Sequence, residues 1–225
     1  MRACLLFAFG LACASAHAQT PPTAAEYAQY KGLFAAAARN DSVRIGRLIL
    51  AGEYAGMRDN HGRTPLHVAT WRKSRDSMRV LSDSTGEPNV LDGDGYDIVT
   101  IAAFNNDVDT LRVALEVGCG PTNIVGPDDT SALIAAARRG NELPVRALIT
   151  AGAMLDYVDK RGDTALIAAI TGGDGSRRYV ATVKALVGTR ANLNIADRSG
   201  ATPLALAKAR GYGEMIAILQ QAGAR

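Results

Sequence analysis

A run of eight residues, Gly62-Arg63-Thr64-Pro65-Leu66-His67-Val68-Ala69, returns along the chain in altered form. Gly95 opens Tyr96-Asp97-Ile98-Val99-Thr100-Ile101-Ala102-Ala103. Asp129 opens Thr130-Ser131-Ala132-Leu133-Ile134-Ala135-Ala136-Ala137. Gly162 opens Asp163-Thr164-Ala165-Leu166-Ile167-Ala168-Ala169, and Gly200 opens Ala201-Thr202-Pro203-Leu204-Ala205-Leu206-Ala207. The starts lie 33, 34, 33 and 38 residues apart. A degenerate copy upstream, Leu33-Phe34-Ala35-Ala36-Ala37, lacks the opening turn. A fixed period of this length constrains the fold strongly. Each unit is one supersecondary element that buries its apolar face only against its neighbours.

Every copy carries a second pattern downstream. Val43 to Ala51 precedes Gly52, Leu111 to Leu115 precedes Gly118, and Val145 to Ala151 precedes Gly152. Val183 to Val187 follows the same pattern, and Met215 to Leu219 precedes Gly223. Apolar residues at helical spacing followed by glycine read as a helix with a left-handed stop. A short link then reaches Asp59, Asp92, Asp159 or Asp197, and Asp-x-x-Gly favours a tight turn. The unit is therefore a turn, a short helix, a second short helix and a return. Thr64 suits the cap of the first helix and Pro65 its first turn.

This unit resembles the ankyrin repeat. The family hallmark stands complete at Thr64-Pro65-Leu66-His67, with Thr202-Pro203-Leu204 close to it. The resemblance covers residues 26–225. It implies an all-α solenoid of about six helix-turn-helix repeats with short β-turn fingers, at approximately 26–58, 59–91, 92–125, 126–158, 159–196 and 197–225. It also implies that His67 bonds to turn backbone. The first copy is expected to cap the N-terminus, with Ala24, Tyr27 and Tyr30 in its shielding helix. The last copy has no separate cap and is expected to fray. The fifth copy carries five extra residues around 172–178, open to two readings: a projecting loop, or a tolerated surface insertion.

Composition agrees with this packing. Alanine accounts for 40 of the 225 residues, while aromatic residues make up only 5%. Small side chains at Ala69, Ala102, Ala103, Ala136, Ala137 and Ala169 would let neighbouring helices approach closely.

Residues 1–18 read differently. Arg2, the apolar run Ala3 to Ala16 and the small-x-small Ala16-His17-Ala18 fit a secretory signal peptide with Gln19 as the first mature residue. Residues 19–25 then form an extended segment. Cleavage would remove Cys4 and Cys13, leaving Cys119 alone and no internal disulfide. Arg2 would leave too, so 24 basic residues would face 22 acidic ones, a net charge of +2. That excess is too small to argue for nucleic acid or an anionic membrane. The expected location is the periplasm, with full secretion as the alternative.

Little in the sequence suggests catalysis. His61 and His67 are the mature histidines, too few for a zinc site, and no nucleophile stands beside a base. Neither a metal nor a cofactor is expected. The resemblance instead places partner-facing positions on the turn tips and first helices of a concave face. On these grounds the candidate partner-binding residues are Arg63, Trp71, Arg72, Tyr96, Phe104, Arg138, Arg139, Lys160 and Arg161. Aromatic residues and arginine are enriched as interface anchors. For each aromatic, packing against a neighbouring finger is an equal alternative. The function expected is an exported, monomeric, non-enzymatic module that binds another protein, possibly an enzyme. A secreted effector acting on a host protein is the alternative, and a hydrolase with a site between repeats ranks lower.

Overall fold

Helix α1 (Ala24–Gln29) starts with a reciprocal cap: Glu26 N–H donates to Thr23 Oγ1, and the Thr23 N–H donates to Glu26. The repeats follow as helix pairs: α2 (Gly32–Ala38) with α3 (Ser42–Leu50), α4 (Pro65–Trp71) with α5 (Arg75–Thr85), and α6 (Ile98–Phe104) with α7 (Val108–Glu116). A two-residue hairpin, β1 (Ile124–Val125) and β2 (Thr130–Ser131), precedes α8 (Ala132–Arg138) and α9 (Glu142–Thr150). Then come α10 (Ala165–Thr171) with α11 (Arg177–Val187), and α12 (Pro203–Ala209) with α13 (Gly213–Gln221). This computed structural model describes residues 19–225; the signal-peptide expectation for residues 1–18 lies outside them.

First helices stack on first helices and second helices on second helices, giving two layers. The first helices of the last four repeats begin alike because side-chain oxygens cap them, whereas α2 starts after Lys31 with no side-chain cap. Asp97, Ser131, Thr164 and Thr202 each accept the backbone N–H three residues on, which satisfies an otherwise orphaned donor. Ala69, Ala102, Ala103, Ala136, Ala137 and Ala169 are all buried, as the repeat phase predicts, and Ala36, Ala37 and Ala168 are buried with them. Between the layers lie Leu33, Ile45, Leu66, Met78, Leu111, Leu133, Leu148 and Leu186. Each such side chain contributes about 1.5–3 kcal/mol of transfer free energy.

The fingers are built from one aspartate each. Asp59 Oδ1 accepts the N–H groups of His61 and Arg63, both at 2.9 Å. Asp92 does the same for Asp94 and Tyr96, Asp159 for Arg161 and Asp163, and Asp197 for Ser199 and Ala201. A glycine follows at the left-handed position, with φ +69° at Gly62 and +87° at Gly162. The fourth finger has Gly126 in place of the aspartate and closes by the β1–β2 pair, with Asp129 left-handed at φ +47°. It alone carries strands among the described fingers. Backbone bonds join neighbouring fingers: Gly93 N–H to His61 O, Gly126 N–H to Gly95 O, and Lys160 N–H to Asp128 O.

The missing first finger is replaced by side chains. Tyr30 stacks on Phe34 with ring centroids 5.0 Å apart, and its hydroxyl donates to Asp59 Oδ2 at 2.7 Å. Glu26 binds Arg63 and lies 3.3 Å from His61 Nε2. The extra residues of the fifth repeat lengthen α11 and form the loop 172–176. Tyr212 pins this loop by donating to Gly173 O at 2.8 Å.

Candidate functional site

A cavity of about 400 Å³ opens between the fingers and first helices of the third to fifth repeats. Tyr96, Phe104 and Tyr179 supply aromatic surface, and Arg138, Arg139, Arg161 and Arg178 bring four guanidinium groups against one lining carboxylate, Asp128. Two of these arginines are engaged. Arg161 meets Asp128 at 2.7 Å across two fingers. Arg138 reaches Asp159 at 2.7 Å and Asp163 at 3.1 Å. Burial raises the Asp163 carboxyl above its ordinary range, with Arg138 opposing. The other two sit over rings, the Arg139 guanidinium 4.1 Å from the Phe104 centroid and that of Arg178 5.0 Å from the Tyr179 centroid, and Arg178 also donates to Asn141 Oδ1 at 3.5 Å. A guanidinium over a ring, with no carboxylate partner, still has N–H donors for a planar acceptor.

The nine expected partner-facing residues divide. Phe104, Arg138, Arg139 and Arg161 line the groove. Lys160 is exposed beside it and pairs with Asp129 at 3.0 Å. Arg72 is exposed at the adjoining second repeat, its guanidinium 5.0 Å from the Tyr27 ring. Three do not face outward as expected. Arg63 is only 1% exposed, because its guanidinium turns back to Asp59, Glu26 and the Thr20 carbonyl. Tyr96 is 6% exposed and packs with Ile101 and Val125, so it offers the groove little more than an edge. Trp71 is half-buried against that same cluster. For Tyr96 and Trp71 the packing alternative is the one the structure takes.

Sequence reasoning missed Gln19, Arg178 and Tyr179 in the cavity wall. In the sequence Arg178 stands only within the insertion at 172–178, and Gln19 lies outside the repeat, where periodicity says nothing.

The hallmark residues serve the scaffold. His67 Nδ1 accepts the Thr64 N–H at 3.1 Å, and burial holds its pKa down at about 4. Cys119 is buried, its thiol donating to Asp97 Oδ2 at 3.6 Å, and burial pushes its pKa up. A thiol so placed is a poor nucleophile. Among the described residues, no group of three or more His, Cys, Asp and Glu side chains is placed to hold a metal, and no helix is long and apolar enough to cross a membrane.

This architecture is shared with solved structures. An ankyrin repeat domain from Acinetobacter baumannii AYE is 34% identical, with a TM-score of 0.79, over 86% of this chain and 98% of that one. The chain belongs to the ankyrin-repeat family. The family model described as ankyrin repeats in three copies matches residues 99–182. The putative ankyrin repeat protein YahD of Escherichia coli K12 is 26% identical over 84% of this chain and 94% of its own length. The human ankyrin repeat and SOCS box protein 16 is 30% identical over 73% of this chain, which spans only 37% of that protein. Ankyrin repeats are protein-interaction modules, and this chain is an array of them.

Proposed function

We propose that this ankyrin-repeat chain is an exported, periplasmic, non-enzymatic protein that binds and regulates a partner protein through the finger and first-helix face. The carrying observation is the groove of the third to fifth repeats, where Arg139 and Arg178 lie on Phe104 and Tyr179 while Arg138 and Arg161 are fixed by aspartates. A preorganised arginine–aromatic surface costs little ordering on binding. The basic Arg2 followed by the apolar residues 3–16 supports export. A buried Cys119 and a buried, neutral His67 support a role without catalysis.

The test is photo-crosslinking in the cell of origin, with a reactive side chain at position 139 in the groove or at position 112 on the outer layer. The expected result is a discrete protein adduct from position 139 in the periplasmic fraction and none from position 112. Equal adducts from both positions would remove the face assignment, and a cytosolic chain that retains residues 1–18 would remove export.

A further inference from the structure

The described chain begins by running into its own groove. Thr23 caps α1, Pro22 is buried, and the Thr20 carbonyl accepts from Arg63 Nη1 at 3.3 Å. Gln19 is 4% exposed and forms part of the cavity wall with Phe104, Arg139 and Arg178. Residues 19–22 have no helix or strand of their own, and two of them, Pro21 and Pro22, restrict the backbone to extended forms. A segment from outside the repeats therefore lies along the inner face from the second finger to the arginine groove.

Its fit is incomplete in one respect. The Gln19 side-chain oxygen Oε1 is buried and has no hydrogen-bond partner. It lies in a cavity lined by four arginines, and among the described residues no carboxylate forms an ion pair with Arg139 or Arg178. A neutral amide in such a place gains neither charge pairing nor a second acceptor oxygen. A carboxylate supplies both, and guanidinium groups bind it with two parallel N–H donors.

We propose that this groove is the docking site for an extended segment of the partner that inserts a Glu or Asp side chain between Arg139 and Arg178, and that residues 19–22 cover the site in cis as a weaker occupant. This rests on the reading that the finger and first-helix face binds a protein, and it narrows the partner's chemistry to an acidic, extended segment. The partner gains its place by displacing Gln19, so Gln19 sets the threshold for binding.

The test uses the full chain and two fluorescein-labelled, N-acetylated probe peptides, Gln-Thr-Pro-Pro and Glu-Thr-Pro-Pro, followed by anisotropy. The acidic peptide is expected to bind roughly tenfold more tightly than the neutral one. Arg139→Ala with Arg178→Ala is expected to abolish that preference. Gln19→Ala should tighten binding of the acidic peptide by uncovering the groove. Gln19→Glu should weaken it, because a better cis occupant competes. Circular dichroism melts identify any variant that has lost its fold, and Gln19→Glu, a change of one atom, keeps the test available if the double arginine variant unfolds. Equal affinity for the two peptides, no binding of either at millimolar concentration, or an unchanged affinity in both Gln19 variants would overturn the proposal. A partner crosslinked at position 139 together with any of those results would leave the protein-binding reading standing and remove only the acidic-segment inference.

Discussion

His67 Nε2 lies 3.2 Å from the backbone carbonyl oxygen of Tyr96, across the boundary between the second and third repeats. Nδ1 already accepts the Thr64 N–H, so the hydrogen-bond network assigns the proton to Nε2, and the neutral ring donates to the next finger. One imidazole thereby fixes its own helix start and the neighbouring turn.

The first prediction concerns acid. Burial, with the charge of Arg58 assisting, holds the His67 pKa at about 4, below the usual imidazole value. The unfolded chain therefore takes up a proton before the folded one does. The stabilisation is fully present above about pH 6.5 and is lost as the pH falls towards 4, by about 3 kcal/mol in all. NMR signals of the His67 ring are expected to keep the Nε2–H tautomer pattern from pH 8 down to about 5.5. A titration midpoint above pH 6 would contradict the assignment.

Arg63 is the second. Its guanidinium meets Asp59 at 2.7 Å and also Glu26, with 1% of the side chain exposed. Asp59 is held below the usual carboxylate range, since bonds from Tyr30 and Arg63 outweigh its burial. Arg63→Ala leaves both carboxylates without their cation and is expected to cost about 3 kcal/mol. Arg79→Ala, in the exposed pair with Glu116 at 3.0 Å, is expected to leave stability nearly unchanged, since solvent screens such a pair. Hydrogen exchange should show faster opening of Ala24 to Ala38 in the first variant only.

Two glycines make the third. Gly93 packs against the second finger so closely that a Cβ would stand 2.2 Å from the His61 carbonyl oxygen, while Gly46, inside α3, has open space around it. Gly93→Ala must push the two fingers apart and break the bond from Gly93 N–H to His61 O. It is expected to lower the melting temperature. Gly46→Ala is expected to raise stability by about 0.5–1 kcal/mol through helix propensity. Melts that rank the two variants in the opposite order would show that the finger contact is soft.

The repeat phase made the helices, their caps and the buried alanines legible, because each depends on which way a Cα–Cβ bond points at a fixed place in the unit. The resemblance to the ankyrin hallmark, not the phase, implies the bond of His67 to turn backbone. What the phase could not give was where a long side chain ends. Arg63 leaves the turn outward and then folds back, since the first repeat has no finger and α1 offers Glu26 in its place. Trp71 and Tyr96 start from partner-facing positions but lie down on Val125 and Ile101. Gln19 enters the groove from a segment with no period at all, and the fourth finger closes through a strand pair because Gly126 stands where the other fingers have aspartate.

The helix Ala24–Gln29, seated on the second finger through Glu26 and Tyr30, makes the two ends of the array unequal. A further unit spliced in ahead of Ala24 would bring a finger into the volume that this helix holds and would strip Arg63 of Glu26. A unit spliced in at Asp159 would meet finger on finger and helix on helix at both of its faces. Tandem duplication can therefore lengthen this array from within, while its amino-terminal side is sealed against growth.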